Sequence, residues 1–64
     1  MYYIQYNRED DRPYRYLSAN AKGVCLSSTV HGAIRFSSRK RAEGAAEYYF
    51  DKFKYIQGYI IQED

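Results

Sequence analysis

Apolar and polar positions alternate at the start of the chain, with Tyr2, Ile4 and Tyr6 on one face and Tyr3 and Gln5 on the other. A period of two, in residues that favour pleated backbone, predicts a first strand over residues 2–6. The polar cluster from Asn7 to Pro13 predicts a turn, in which Pro13 drives Arg12 toward extended backbone. Alternation resumes from Tyr14 to Ser18 and predicts a second strand, paired back antiparallel on the first. Asn20-Ala21-Lys22-Gly23 reads as another turn, with Gly23 free to take positive φ. Val24 to Ser28 is compatible with a third, shorter strand.

From Thr29 to Phe36 the pattern fits two structures: Val30, Ala33 and Ile34 suit one helical turn, while Ala33 to Phe36 suits extended backbone. Beyond it the period changes. Ala42, Ala45, Ala46, Tyr49, Phe50 and Phe53 form an apolar stripe at helical spacing, which predicts a helix from about Ser38 to Phe53. Ser37 or Ser38 supplies the N-cap, because a serine oxygen can accept from an otherwise orphaned N–H two or three residues on. Gly44 lies off the stripe and weakens the helix by about 1 kcal/mol relative to alanine. Tyr55 to Gln62 predicts a last strand, with Ile56 and Ile60 on one face and Tyr59 and Ile61 on the other. Apolar residues on both faces suggest a central or well-covered strand. The order β-β-(β)-α-β predicts a two-layer α+β domain over residues 1–64, one amphipathic helix on a three- to four-stranded antiparallel sheet.

Composition shows how so short a chain can build a core. Sixty-four residues allow one domain, and nine Tyr and three Phe bring large buried areas per residue. The single Cys25 excludes an internal disulfide, and with the single His31 it cannot build a structural zinc site. No apolar run approaches a membrane span, and the first residues lack the basic and small-residue marks of a signal peptide. A cytoplasmic protein is expected.

Charge is strongly divided. Arg12, Arg15, Lys22, Arg35, Arg39, Lys40 and Arg41 fall in a stretch from Arg12 to Ala42 that contains no acid, yet the net charge is only +2 because both flanks are acidic. Cations are disfavoured in a first helical turn, where the macrodipole is already positive. Ser37-Ser38-Arg39-Lys40-Arg41 breaks that rule, and such a break is a functional signal. Two readings follow: a phosphate- or carboxylate-binding helix end, or solvated cations paired with Glu43 and Glu47 one turn on. No Walker-type glycine spacing accompanies the cluster.

Other chemistry has thinner support. Tyr3, Tyr14, Arg15 and Tyr16 interleave aromatic and cationic side chains as in single-strand nucleic-acid platforms, but the aromatic-glycine signature of the common RNA-recognition sheet is absent and a core built from few residues explains most of the tyrosines. Glu9-Asp10-Asp11 lacks the alternation and glycine of a calcium loop and reads as a solvated turn. Cys25 and His31 have no evident third residue to orient them, so no catalytic set, metal or cofactor is expected.

The layout resembles a type of small protein common in phage and prophage genomes: a Tyr-rich strand pair, a segment ending in A-x-x-F-S-S, an Ala-rich helix and a closing hydrophobic strand with an acidic end. The matching residues are Tyr2-Tyr3-Ile4, Tyr16-Leu17, Ala33 to Ser38, Ala42 and Tyr59 to Asp64. The resemblance spans nearly the whole chain, is architectural, and transfers no catalytic residue. It implies a mobile-element accessory protein, a class that includes anti-CRISPRs; many of those are acidic mimics of nucleic acid, from which this basic middle departs. The expectation is a non-enzymatic inhibitor or modulator of a host nucleic-acid-handling complex, monomeric or a homodimer through an open sheet edge. Its contact residues are Arg35, Ser37, Ser38, Arg39, Lys40 and Arg41, joined by Arg15 and Lys22 if the sheet brings them round. The alternative is direct binding of DNA or RNA by the same patch.

Overall fold

In the computed structural model, which describes residues 1–64, the chain forms strands β1 (Tyr2–Arg8), β2 (Tyr16–Asn20) and β3 (Gly23–Ser27). A 3-10 turn at Val30–Gly32, helix α1 (Arg39–Phe50) and strand β4 (Ile56–Glu63) follow. The sheet is antiparallel with order β3-β2-β1-β4, and α1 lies over β1 and β4. This is the expected α+β architecture, one helix on a four-stranded sheet.

Alternation in β1 sets the layers. Ile4 and Tyr6 face the helix and are fully buried with Leu17, Ala42 and Ala46, and Ile56 completes the cluster. The two alanines sit one helical turn apart, and their short side chains let α1 settle closely on the sheet. Burying side chains the size of Ile4 and Leu17 stabilises by about 1.5–3 kcal/mol each. Tyr2, Val24, Leu26, Phe50, Phe53 and Tyr59 close the rim of this small core.

The segment Thr29 to Phe36 uses both of the structures its pattern allows. Val30–Gly32 is a 3-10 turn, fastened to β2 by a short hydrogen bond from Ser18 Oγ to the Gly32 carbonyl. Ala33 to Phe36 is extended and takes backbone groups that β1 and β2 do not give each other. Those two strands share a single ladder pair, Gln5–Tyr16. Toward the chain start, Tyr2 and Phe36 exchange both N–H···O bonds (2.9 and 2.8 Å), and Ile34 N–H donates to the Leu17 carbonyl (2.9 Å).

Several boundaries differ from the sequence pattern, and β1 runs on to Arg8 and β2 to Asn20, both into segments expected to be turns. β2 begins at Tyr16 because the Tyr14 carbonyl is used by the Arg8 guanidinium at 2.9 Å, inside the 9–15 connection. α1 ends at Phe50, with Asp51 as C-cap, so Phe53 reaches the Tyr6 ring (6.2 Å between centroids) from a loop. Tyr55 then reverses the chain with φ +70°, a left-handed conformation costly for a non-glycine residue.

β4 is an edge strand, not a central one. The register runs Asn7–Gly58 and then Arg8–Ile56, so Gln57 is an extra residue, a β-bulge. The bulge reverses the alternation and puts Ile56 on the helix-facing side with Tyr59 and Ile61. Ile60 falls on the opposite, uncovered face and is 46 % exposed. Apolar residues on both apparent faces of β4 therefore record a bulge rather than double coverage.

Candidate functional site

The helix start is built by Ser38. Its backbone is extended (φ −141°, ψ 151°) and its Oγ accepts from Arg41 N–H at 3.2 Å, leaving other first-turn N–H groups facing outward. No acid lies in that turn. Arg39, Lys40, Arg41 and Ser37 are exposed.

The six candidate cations do not behave alike. Arg35 is held within the fold through Nε and Nη1. Its Nε donates to Asp64 Oδ2 at 2.6 Å, and its Nη1 donates to the carbonyls of Val30 and Ala33 at 2.9 Å each. Its guanidinium also covers the Tyr3 ring at 4.9 Å. Arg39 lies 5.4 Å over the Tyr2 ring on the opposite face of the sheet, so two adjacent tyrosines are capped from opposite sides. Lys40 and Arg41 make no ion pair, and neither reaches Glu43 or Glu47.

Arg15 stands apart. Its carbonyl accepts from Tyr6 N–H at 2.7 Å, which places it four strand residues from Tyr2, roughly 13 Å along the sheet at about 3.3 Å per residue. Lys22 sits in the β2–β3 turn, where Asn20 Oδ1 accepts its N–H at 2.8 Å and Gly23 takes φ +126°. That turn is at the Tyr2 end of the sheet but on the flank away from α1. The acid-free stretch thus divides into one helix-end group, one turn at the same end, and Arg12 and Arg15 in the β1–β2 connection at the far end.

The face of the sheet away from α1 holds Tyr3 and Tyr16, whose rings are 6.0 Å apart, with Gln5, Gln62 and Ile60 beside them. Gln62 Nε2 donates to Gln5 Oε1 at 3.1 Å. Tyr14 does not join this pair; it is exposed in the connection before β2.

A third feature has no complete signature in the sequence pattern. Glu47, Phe50, Asp51 and Tyr59 line an open depression of about 270 Å³ where the end of α1 overlies β4. The Tyr59 hydroxyl donates to Glu47 Oε1 at 3.3 Å. Its pKa is raised by partial burial first, then by the negative charge and hydrogen bond of Glu47, with Glu43 adding to the effect. The spacing of residues 47, 50 and 51 marks a common helical face in the sequence, but only the fold supplies Tyr59.

The acidic triplet is also more than a solvated turn. Arg8 grips Asp10 with a two-pronged contact, Nε to Oδ1 at 2.6 Å and Nη2 to Oδ2 at 2.8 Å. These bonds hold the Asp10 carboxyl down at about 2 and raise the guanidinium in turn. No three His, Cys, Asp or Glu side chains converge on a metal-sized site. Cys25 is half-buried with Asn20 Nδ2 at 3.7 Å, and His31 is exposed in the 3-10 turn. No helix is long and apolar enough to cross a membrane. No protein-family model, curated protein or solved structure matches the chain.

Proposed function

We propose that this chain is a non-enzymatic binding protein, of the kind a phage or mobile element uses to inhibit or modulate a host nucleic-acid-handling complex. Its contact surface is the cationic first turn of α1. The observation that carries this reading is the state of Lys40 and Arg41: exposed, without a carboxylate partner, and at a helix end whose dipole opposes them. Two unpaired cations kept at an unfavourable position suit an anionic partner, whether a carboxylate-rich protein surface or a phosphate. Arg39 flanks them, and Ser37 adds a hydroxyl. Arg35 serves mainly the fold, since its Nε and Nη1 donors are already bound.

Affinity capture from host lysate, comparing the chain with its Lys40→Glu/Arg41→Glu variant, tests the reading. Loss of a discrete set of partners in the variant is expected. Recovery of the same set by both proteins defeats it.

Direct binding of DNA or RNA by the same cations is the second reading, supported by Tyr16 beside the Arg35-capped Tyr3 ring on the sheet face away from α1. Titration with a generic duplex and a single strand separates the two. Nucleic-acid affinity that falls steeply with salt, and falls again in the charge-reversed variant, favours this second reading. Absence of binding at low salt removes it.

A further inference from the structure

The two edges of the sheet differ. β3 is five residues long, whereas β4 is eight, with no lysine or proline to block pairing. Its protective features are the bulge at Gln57 and the charge of Glu63.

Ladder alternation identifies which β4 backbone groups are free. Asp64 N–H donates to the Met1 carbonyl at 3.0 Å, whereas Tyr2 gives both of its backbone groups to Phe36. Tyr2–Glu63 is therefore a non-hydrogen-bonded pair, and so are Ile4–Ile61 and Tyr6–Tyr59 further along. The N–H and C=O groups of Tyr59, Ile61 and Glu63 point off the edge, and no strand of the chain meets them.

Above this edge lies the depression walled by Phe50 and Tyr59, with the carboxylates of Glu47 and Asp51 at its rim. Neither carboxylate has an ion pair. Glu43, which acts on Tyr59 from one turn earlier, and Glu63 at the strand end continue the same sign along the edge.

This charge selects the occupant. A second copy paired antiparallel on β4 sets two α1 helices side by side at about 10 Å, a normal packing distance, but turns Glu43 and Glu47 toward their counterparts. An extended segment with Lys or Arg at alternate positions meets the same carboxylates with opposite sign. Its backbone completes the ladder at Tyr59, Ile61 and Glu63. One long cationic side chain lays its methylenes on Phe50 and Tyr59 and its head against Glu47 and Asp51. We infer that the β4 edge is a docking site for an extended, basic strand of another protein, which joins the sheet as a fifth strand. This edge is distinct from the cationic turn of α1, and either surface stands without the other.

The probe is a peptide of about ten residues alternating lysine and valine, enough to span β4, with a glutamate–valine peptide as control. Binding is followed by amide hydrogen exchange. The basic peptide binds with salt-sensitive affinity and protects the amides of Tyr59, Ile61 and Glu63, which exchange freely without it. Glu47→Gln with Asp51→Asn weakens binding roughly tenfold, while the Ile60 and Gln62 amides, bonded to β1, keep the protection they show in the parent chain. Four outcomes overturn the inference: no binding of the basic peptide, equal binding of the acidic one, binding without protection of the three amides, or unchanged affinity in the double variant. Protection of those amides that rises with protein concentration alone also overturns it and assigns the edge to a second copy.

Discussion

The hydroxyl of Tyr6 donates to the carbonyl oxygen of Ala46 at 2.9 Å, joining the middle of β1 to the middle of α1 in the fully buried core. The bond satisfies the one polar atom that Tyr6 carries into an apolar cluster, and it fixes the level at which the helix sits on the sheet. Replacing Tyr6 by Phe keeps the ring but removes the bond, at a cost of about 1 kcal/mol. Urea denaturation is expected to show that loss with an unchanged m-value.

The same residue governs alkaline stability. Burial, then the neighbouring Tyr59 and Tyr49, push the Tyr6 phenol from 10.0 up to about 12. Because the folded state holds the proton more tightly, the contribution is complete below pH 10 and is lost as pH rises toward 12. The parent chain is therefore expected to lose stability more steeply than Tyr6→Phe across that interval, as followed by circular dichroism.

Asp10 sets the acid limb. Hydrogen bonds from Arg8 lower its carboxyl from 3.8 to about 2, so the pair contributes above the ordinary value and is lost as pH falls through about 2. Asp10→Asn removes this component. Its stability curve is expected to be flatter than the parent's between pH 4 and pH 2, and a parallel fall in both chains contradicts the assignment.

Arg35 ties three parts of the chain together, through Asp64, the 3-10 turn and the Tyr3 ring. A lysine ammonium cannot reproduce that planar fork. Arg35→Lys is expected to lose about 1–2 kcal/mol and to recover little relative to Arg35→Ala in chemical denaturation. Full rescue by lysine reduces the role to simple charge.

Lys40 and Arg41 present the opposite case. Glutamate at position 41 completes a capping box with Ser38, and glutamate at position 40 suits the helix dipole. The Lys40→Glu/Arg41→Glu variant is expected to gain roughly 0.5–1 kcal/mol in thermal unfolding while losing its partner. Stability and binding then move in opposite directions, which separates a functional surface from a structural one.

Gly44 has no packing reason to be glycine, since a Cβ built there meets nothing within 4 Å. Gly44→Ala is expected to stabilise by about 1 kcal/mol through helix propensity. A destabilised variant in thermal unfolding refutes that reading.

Much of the fold was legible because its signals are local. Tyr2, Ile4 and Tyr6 share a face through the period of a strand, and Ala42 and Ala46 share one through the period of a helix. The Ser37-Ser38 pair announces the helix start by its chemistry, and the structure picks Ser38. The edge position of β4 was not legible, because one extra residue, Gln57, reverses the apparent faces of Ile56 and Ile60. The binding of Arg35 to Asp64 spans 29 positions, so no local window contains it. The depression at Glu47 and Asp51 was only half visible for the same reason: its helical wall is a local pattern, and Tyr59 comes from a different element.

The sequence by itself determined the main strands and the helix, their order, the grouping of residues into faces on β1 and α1, and the division of charge, all of which follow from periodicity and residue type. Only the tertiary structure decided which strand forms the edge, which cations stay free and which carboxylates line it. Those properties depend on long-range backbone pairing, which places residues by register rather than by proximity in the chain.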